Sequence, residues 1–123
     1  MAQVTGLGGF FLRARDPEAL SAWYATTLGL EFGAGSRAAI LPETPGTYSV
    51  VAIFDYDSEY IGRPDAQSAM MNLRVDDLVG FVARLEAAGA HPEPVSDTEY
   101  GRFAWITDPE GNRVELWEPT LSL

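Results

Sequence analysis

The chain has 123 residues, of which 46% are hydrophobic, and a formal net charge of −10. This length fits a single domain with a sizeable core. Eight basic against eighteen acidic residues argue against nucleic acids and membrane surfaces as partners, because clustered Lys and Arg recognise both. The absence of cysteine and lysine excludes disulfides, thiolate metal sites and Schiff-base chemistry. The N-terminus has no signal-peptide pattern, and no stretch is apolar enough to span a membrane, so we expect a cytoplasmic protein.

A strand and a helix are predicted at the start of the chain. Gly9–Ala14 is rich in β-forming residues and precedes a turn signal, which is typical of a strand. Asp16 can cap a helix that begins at Pro17, and Gly29 can end it. Apolar residues at helical spacing predict one buried face of this helix, formed by Leu20, Trp23, Tyr24 and Leu28.

The second half of the chain repeats this order. Leu73–Asp77 resembles Leu12–Asp16 at an offset of 61 residues, and a second helix follows, which Gly89 can end. Its apolar stripe consists of Leu78, Phe81, Val82 and Leu85. We therefore predict one domain, residues 1–123, built from two similar modules of about residues 1–60 and 67–123.

Four further strands are predicted, two in each module. They are Ala38–Leu41 and Tyr48–Asp55 in the first module, and Arg102–Thr107 and Arg113–Glu118 in the second. The last two are joined by the turn residues of Asp108–Asn112.

The residues of these strands alternate between two faces. One face is apolar and is expected to contact the helices; it holds Phe10, Leu12, Val51, Ile53, Met71, Leu73, Val75, Ala104, Ile106, Val114 and Leu116. The other face mixes aromatic, amide, arginine and carboxylate side chains, which is typical of a ligand cavity. Its proposed ligand-binding residues are Phe11, Arg13, Phe54, Asn72, Arg74, Phe103, Trp105, Arg113 and Trp117. The alternative is that this face packs against another subunit.

Glu115 is the candidate catalytic residue. It stands in the middle of an apolar strand, where a charge is costly unless it is paired, liganded or neutralised. Desolvation would raise its pKa, whereas Arg113 or Arg74 nearby would lower it. The alternative interpretation is a purely structural pair with one of these arginines. His91 is the only histidine, so one chain cannot form a histidine metal cluster or a serine–histidine triad.

Several segments resemble the vicinal oxygen chelate superfamily, the group of glyoxalases, bleomycin-resistance proteins and extradiol dioxygenases. The segments are Phe11–Asp16, Trp23–Leu30, Leu73–Leu78 and, most specifically, Asp108–Pro119. The resemblance implies an α+β fold in which two βαβββ modules form a cupped mixed β-sheet. It also implies pairing into a homodimer, with the cup within one chain or shared between two.

The resemblance further implies where a metal would be bound. The four cup positions that hold the ion in metal-dependent relatives correspond here to Gly9, Ala52, Met70 and Glu115. Only Glu115 can bind a hard divalent cation, and one carboxylate would hold such an ion weakly. We therefore expect no cofactor, and a small-molecule-binding protein with an aromatic or hydrophobic ligand in the cup. The alternatives are a lyase, isomerase or dioxygenase-type enzyme that uses Glu115 as base or metal ligand, and a module that binds a protein partner.

Overall fold

The computed structural model describes residues 2–28, 30–42, 48–109 and 111–120. Two helices and seven strands lie in these ranges. In chain order they are β1 (Val4–Ala14), α1 (Pro17–Leu28), β2 (Ala38–Pro42), β3 (Tyr48–Asp55), β4 (Ala69–Val75), α2 (Leu78–Ala87), β5 (Ser96–Thr98), β6 (Gly101–Thr107) and β7 (Arg113–Pro119).

The seven strands form one mixed sheet in the order β2-β3-β1-β4-β7-β6-β5. Strand β1 is parallel to β3, and β4 is parallel to β7, while β1 and β4 pair antiparallel at the centre. Strands β2 and β6 each pair antiparallel on the outer side of β3 and β7. Both halves therefore begin with a strand and a helix followed by further strands, and α2 begins 61 residues after α1, at residue 78 instead of 17. In the described ranges the first half has three strands and the second has four, so the predicted βαβββ order is observed only in the second half. The predicted fold class is confirmed.

The helix boundaries follow the predicted signals. The Oδ1 atom of Asp16 accepts a hydrogen bond from the backbone N–H of Ala19 at 3.1 Å, as an N-cap does. Asp77 caps α2 in the same way, through the N–H of Gly80 at 3.1 Å. Gly89 follows the end of α2 with a φ of +93°, a conformation that glycine adopts without strain. The predicted stop at Gly29 lies outside the described residues. No helix in the described ranges is long and apolar enough to cross a membrane, and the cytoplasmic location stays a prediction.

The main core lies between α2 and the second half of the sheet. Its buried residues are Val75, Leu78, Phe81, Ala104 and Leu116, and Leu73, Val82, Leu85, Ile106 and Val114 pack against them. These are the residues predicted for the helix-facing side of the second module.

The prediction is wrong at the centre of the sheet. Phe10 and Met71 were expected to face the helices, but they are 46% and 42% exposed. Helix α1 packs on β3 and β1, whereas α2 packs on β6 and β7. The outer face of the sheet is thus open where β1 meets β4. Trp23, predicted for the buried face of α1, is also half-exposed.

Candidate functional site

The register of the sheet aligns the polar residues of its inner face. Trp105 pairs with Glu115 across β6 and β7, and Asn72 pairs with Glu115 across β4 and β7. The same row continues through Gly9 of β1 to Val50 of β3. At Gly9 a Cβ atom would stand 2.3 Å from the carbonyl oxygen of Val50, so the close approach of the two strands requires glycine there.

The inner face encloses a cavity of about 800 Å³, which we call the cup. Eight aromatic residues line it, together with a few polar groups, and this composition is typical of small-molecule sites. The lining consists of Phe11, Glu31, Phe32, Gly33, Ser36, Ala38, Ile40, Tyr48, Val50, Ala52, Phe54, Tyr60, Asn72, Tyr100, Phe103, Glu115 and Trp117.

Glu115 lies in the cup lining and is 1% exposed. Its Oε1 atom accepts a hydrogen bond from Nδ2 of Asn72 at 2.6 Å, and its Oε2 atom accepts one from Nε1 of Trp105 at 2.9 Å. The hydroxyl of Tyr60 donates a third, short hydrogen bond to Oε2. Three uncharged groups therefore satisfy the buried carboxyl, as burial of such a group demands. The alternative interpretation, a structural pair with an arginine, is wrong, because Tyr60, Asn72 and Trp105 bind the carboxyl oxygens and the guanidinium of Arg113 binds Glu93 at 2.9 Å.

Burial controls the protonation of this group. Desolvation raises the pKa of Glu115 above its ordinary value of 4.5, and the hydrogen bonds from Tyr60, Asn72 and Trp105 and the charge of Arg113 oppose this effect only in part. The pKa of the Tyr60 hydroxyl is also raised, first by its burial and then by the neighbouring charge of Glu115. The hydroxyl is thus a stable proton donor toward the carboxyl, although Tyr60 as a whole is 39% exposed.

Tyr60 belongs to the segment 56–67 that joins the two modules, and Arg13 holds this segment in place. The guanidinium of Arg13 donates hydrogen bonds to the carbonyl oxygens of Tyr56, Ser58, Gly62 and Gln67, at 3.0, 2.5, 3.0 and 2.8 Å. One charged side chain therefore fixes the backbone on both sides of Tyr60, because guanidinium N–H groups bind several acceptors in a fixed geometry.

Gln67 and Arg113 connect the same segment to β7. Gln67 is buried, donates to the carbonyl oxygen of Arg113 at 2.8 Å and accepts from the Arg113 N–H at 2.6 Å. The guanidinium of Arg113 donates in turn to the carbonyl oxygen of Tyr60. Glu115 follows Arg113 by two residues on β7. These bonds therefore bring the phenol of Tyr60 to the carboxyl of Glu115.

Six aromatic residues of the lining form two groups of contacting rings, and Trp105 connects these groups through contacts with Tyr60 and Phe103 at 6.0 and 6.4 Å. Phe54 stacks on Tyr60 with ring centroids 5.3 Å apart and also contacts Phe11 at 5.3 Å. On the other side, Phe103 stacks on Trp117 at 6.0 Å, and Tyr48 meets the same indole edge-on at 5.3 Å. Such contacts hold ring planes in fixed orientations, so the cup presents preformed walls to a ligand.

Six of the ten predicted site residues line the cup: Phe11, Phe54, Asn72, Phe103, Glu115 and Trp117. The other four residues form hydrogen bonds with lining residues or with the segment that contains Tyr60. Trp105 binds Glu115, Arg13 and Arg113 fix the segment of Tyr60, and Arg74 donates to the carbonyl oxygen of Tyr48. None of these four is in the described lining.

The sequence interpretation missed several lining residues. Tyr48 and Val50 continue the alternation of Ala52 and Phe54 along β3, and this period of two could have identified them. Phe32, Tyr60 and Tyr100 lie outside the strands, where no periodicity assigns a face. Only the tertiary structure places them at the cup.

The residues at the four positions that the resemblance assigns to a metal do not fit a metal ion. Gly9, Ala52 and Met70 provide no oxygen or nitrogen side-chain ligand. Glu115 is surrounded by hydrogen-bond donors, not by further anionic ligands. Nowhere in the described ranges do three or more His, Cys, Asp or Glu side chains form a group that could hold a metal.

Comparisons with known proteins identify the fold. A model of the glyoxalase-like domain family matches residues 9–117. A search of curated proteins gives no match.

Solved structures of similar fold include enzymes. Methylmalonyl-CoA epimerase from Mycobacterium tuberculosis aligns with 21% identity and a TM-score of 0.70, over 96% of this chain and 90% of that one. A Streptomyces coelicolor methylmalonyl-CoA epimerase variant with 2-nitronate-propionyl-CoA aligns with 16% identity and a TM-score of 0.74, over 98% of both chains. A glyoxalase/bleomycin resistance protein/dioxygenase superfamily member from Vibrio splendidus 12B01 aligns with 13% identity and a TM-score of 0.58, over 96% and 99%. At these identities the likeness shows the fold alone.

Proposed function

The chain belongs to the glyoxalase-like domain family, and we propose that it is a metal-free protein that binds a small aromatic or hydrophobic molecule in its cup. The observation that supports this function is the cavity of about 800 Å³ with eight aromatic residues in its lining. A cavity of this size encloses a drug-sized molecule. The few polar groups around it, chiefly Asn72 and Glu115, would orient the ligand.

A coenzyme A ester is not the ligand that this cup favours. One epimerase structure of similar fold is in complex with methylmalonyl-CoA and another with 2-nitronate-propionyl-CoA. Such esters carry several phosphate charges, and phosphates are usually bound by Arg, Lys or a helix N-terminus. No arginine is in the described lining of the cup, and the chain has no lysine.

Binding of the neutral fluorescent probe N-phenyl-1-naphthylamine tests the proposed function. We expect saturable binding, and we expect Trp117→Ala to weaken it at least about fivefold, because this substitution removes a large part of one aromatic wall. Trp23→Ala is the matched control, since Trp23 is half-exposed on α1 and outside the lining. Equal effects of the two substitutions, or no saturable binding, would contradict the proposal.

A second candidate function is a lyase or isomerase in which Glu115 is the general base. Two observations favour it: burial raises the pKa of Glu115, and a hydroxyl donor, Tyr60, contacts the carboxyl at the cup. A base is most effective when its pKa lies near the working pH. The carboxylate would take a proton from a ligand carbon, and the resulting acid would return a solvent-derived proton.

Deuterium exchange of a bound ketone tests the second candidate. Phenylacetone in D₂O should lose its benzylic proton signal faster with the protein than without it, and Glu115→Gln should abolish this acceleration while the ketone still binds. If the ketone binds in the cup and the wild-type protein gives no exchange above the solvent rate, Glu115 is not a general base.

We also propose that two chains pair through the open centre of the outer sheet face. Leu7 on β1 is 47% exposed, and Phe10 and Met71, which are opposite each other on β1 and β4, are 46% and 42% exposed. An apolar row of this kind on neighbouring strands favours association, and a second copy of this chain would cover the same row on its partner.

A further inference from the structure

The two charged groups in the described lining of the cup are both acidic. Glu115 lies buried in the lining, and Glu31 is an exposed member of the same lining. No basic side chain is among the described lining residues. The electrostatic potential inside an apolar cavity is set mainly by the charges that line it, because water does not screen them there.

No arginine guanidinium is in the described lining of the cup, where it could pair with an anionic ligand directly. All eight arginines have other partners, and two of them, Arg74 and Arg113, donate to the backbone carbonyl oxygens of the lining residues Tyr48 and Tyr60. Arg37 pairs with Glu18 and Asp55, Arg63 with Asp65, Arg102 with Asp97 and Arg113 with Glu93, while Arg13, Arg74 and Arg84 donate to backbone carbonyls and Arg15 lies over the ring of Tyr56. The guanidinium of Arg113 lies over the rings of Tyr60 and Trp105, at 5.4 and 4.9 Å from their centroids, and its charge favours the ionised form of Glu115.

The hydrogen bonds of Glu115 are those of an acceptor. The indole N–H of Trp105 can only donate, and it points to Oε2 at 2.9 Å, the atom that the Tyr60 hydroxyl also contacts. Asn72 donates to the other oxygen at 2.6 Å. Donors on both oxygens favour the carboxylate over the neutral acid. This negative charge has no salt-bridge partner within the described residues.

The aromatic rings around Glu115 are a second feature of the cup that favours a positively charged ligand. The faces of Trp, Tyr and Phe rings attract positive charge through their quadrupoles, most strongly where water is excluded. Eight such residues line the cup. A ligand cation would therefore gain from the rings and from Glu115 together, whereas an anion would be repelled by both.

We propose that the cup selects positively charged aromatic molecules, namely planar ring systems with a quaternary or protonated nitrogen. This inference rests on the proposed binding function. The ring system would lie between the two groups of contacting aromatic side chains, and the positive nitrogen would face the side of the cup where Glu115 and Tyr60 meet.

Three bicyclic probes of nearly equal shape test this inference: the cation N-methylquinolinium, neutral 1-methylnaphthalene and the anion 1-naphthoate. Binding is followed at about pH 8 by the NMR signals of the indole N–H groups, because Trp117 lines the cup, Trp105 donates to the lining residue Glu115, and Trp23 lies outside the lining. We expect the cation to bind at least about tenfold more tightly than the neutral probe, and the anion to bind most weakly.

Two substitutions assign the preference to the acidic residues. Glu115→Gln should remove most of the advantage of N-methylquinolinium over 1-methylnaphthalene, measured as the ratio of the two affinities in the same variant. Glu31→Gln is the second variant, because an exposed glutamate tolerates the change; it should weaken cation binding about two- to threefold. Glu86→Gln on the exposed side of α2 removes the same charge far from the lining and is the control.

The outcomes separate this inference from the proposed function. If the neutral probe binds at the cup and the cation binds no more tightly, the cation preference is wrong and the binding function stands. If none of the probes shifts the Trp117 signal, both are wrong. If Glu86→Gln lowers cation affinity as much as Glu31→Gln and Glu115→Gln do, the preference reflects the net charge of the chain and not the cup.

Discussion

Tyr60→Phe removes one hydroxyl group from the contact with Glu115 and leaves the phenyl ring in place. The ring still stacks on Phe54, at 5.3 Å between centroids, so the packing of the cup wall is unchanged. Glu115 keeps its hydrogen bonds from Trp105 and Asn72. The substitution therefore isolates one hydrogen bond to a buried carboxylate.

We expect this substitution to lower the free energy of unfolding by about 1 to 2 kcal/mol near neutral pH. Hydrogen bonds to charged groups contribute about 1.5 to 3 kcal/mol, and we expect a value at or slightly below the lower end of this range because Tyr60 is partly open to solvent. The hydroxyl stabilises the ionised form of Glu115, so its loss raises the pKa of that group further. The destabilisation should be complete above the raised pKa of Glu115 and should shrink as the pH falls through it.

Urea unfolding of four proteins measures this effect: wild type, Tyr60→Phe, Glu115→Gln and the double variant. The coupling free energy between the two sites should exceed about 0.5 kcal/mol, as for residues in direct contact. Tyr56→Phe is the matched control on the same segment, because Tyr56 is half-exposed and outside the cup lining. Equal losses for Tyr60→Phe and Tyr56→Phe, or a coupling near zero, would refute the assignment of this hydrogen bond.

Three further predictions concern the protonation, metal content and assembly of the protein. Because the folded-state pKa of Glu115 is raised, wild type should lose stability relative to Glu115→Gln as the pH rises from about 4.5 through that pKa and show no further relative change above it; a relative gain over this range in urea unfolding would contradict the pKa direction. Elemental analysis should find no stoichiometric divalent metal in the purified protein, and about one nickel, zinc, iron or manganese per chain or per dimer would show that a metal site exists. Sedimentation equilibrium should give twice the chain mass of 13.4 kDa for wild type and for the control Val79→Glu. The variant Phe10→Glu should have the monomer mass. A wild-type protein that is monomeric at about 20 to 50 µM would contradict pairing through the outer face.

The sequence by itself determined the repeated plan of the fold. The signals at Asp16 and Asp77 act through neighbouring backbone groups, so they mark the starts of both helices without any tertiary information. Alternation along β6 and β7 assigned Phe103, Glu115 and Trp117 to the inner face, because the period of a strand is fixed by its backbone. The segments that resemble the superfamily identified the same fold that the comparisons show.

Only the tertiary structure decided which residues meet in the cup and what Glu115 binds. An arginine partner for Glu115 was one of two interpretations that the sequence allowed, because opposite charges on one face attract each other. In the fold the guanidinium of Arg113 pairs with Glu93, and Tyr60, Asn72 and Trp105 bind the carboxyl. Tyr60 lies in a segment without periodicity, and its position depends on the four carbonyl contacts of Arg13 across more than forty residues of sequence. Contacts of this range arise from the register and curvature of the whole sheet, which the alternation within one strand does not contain.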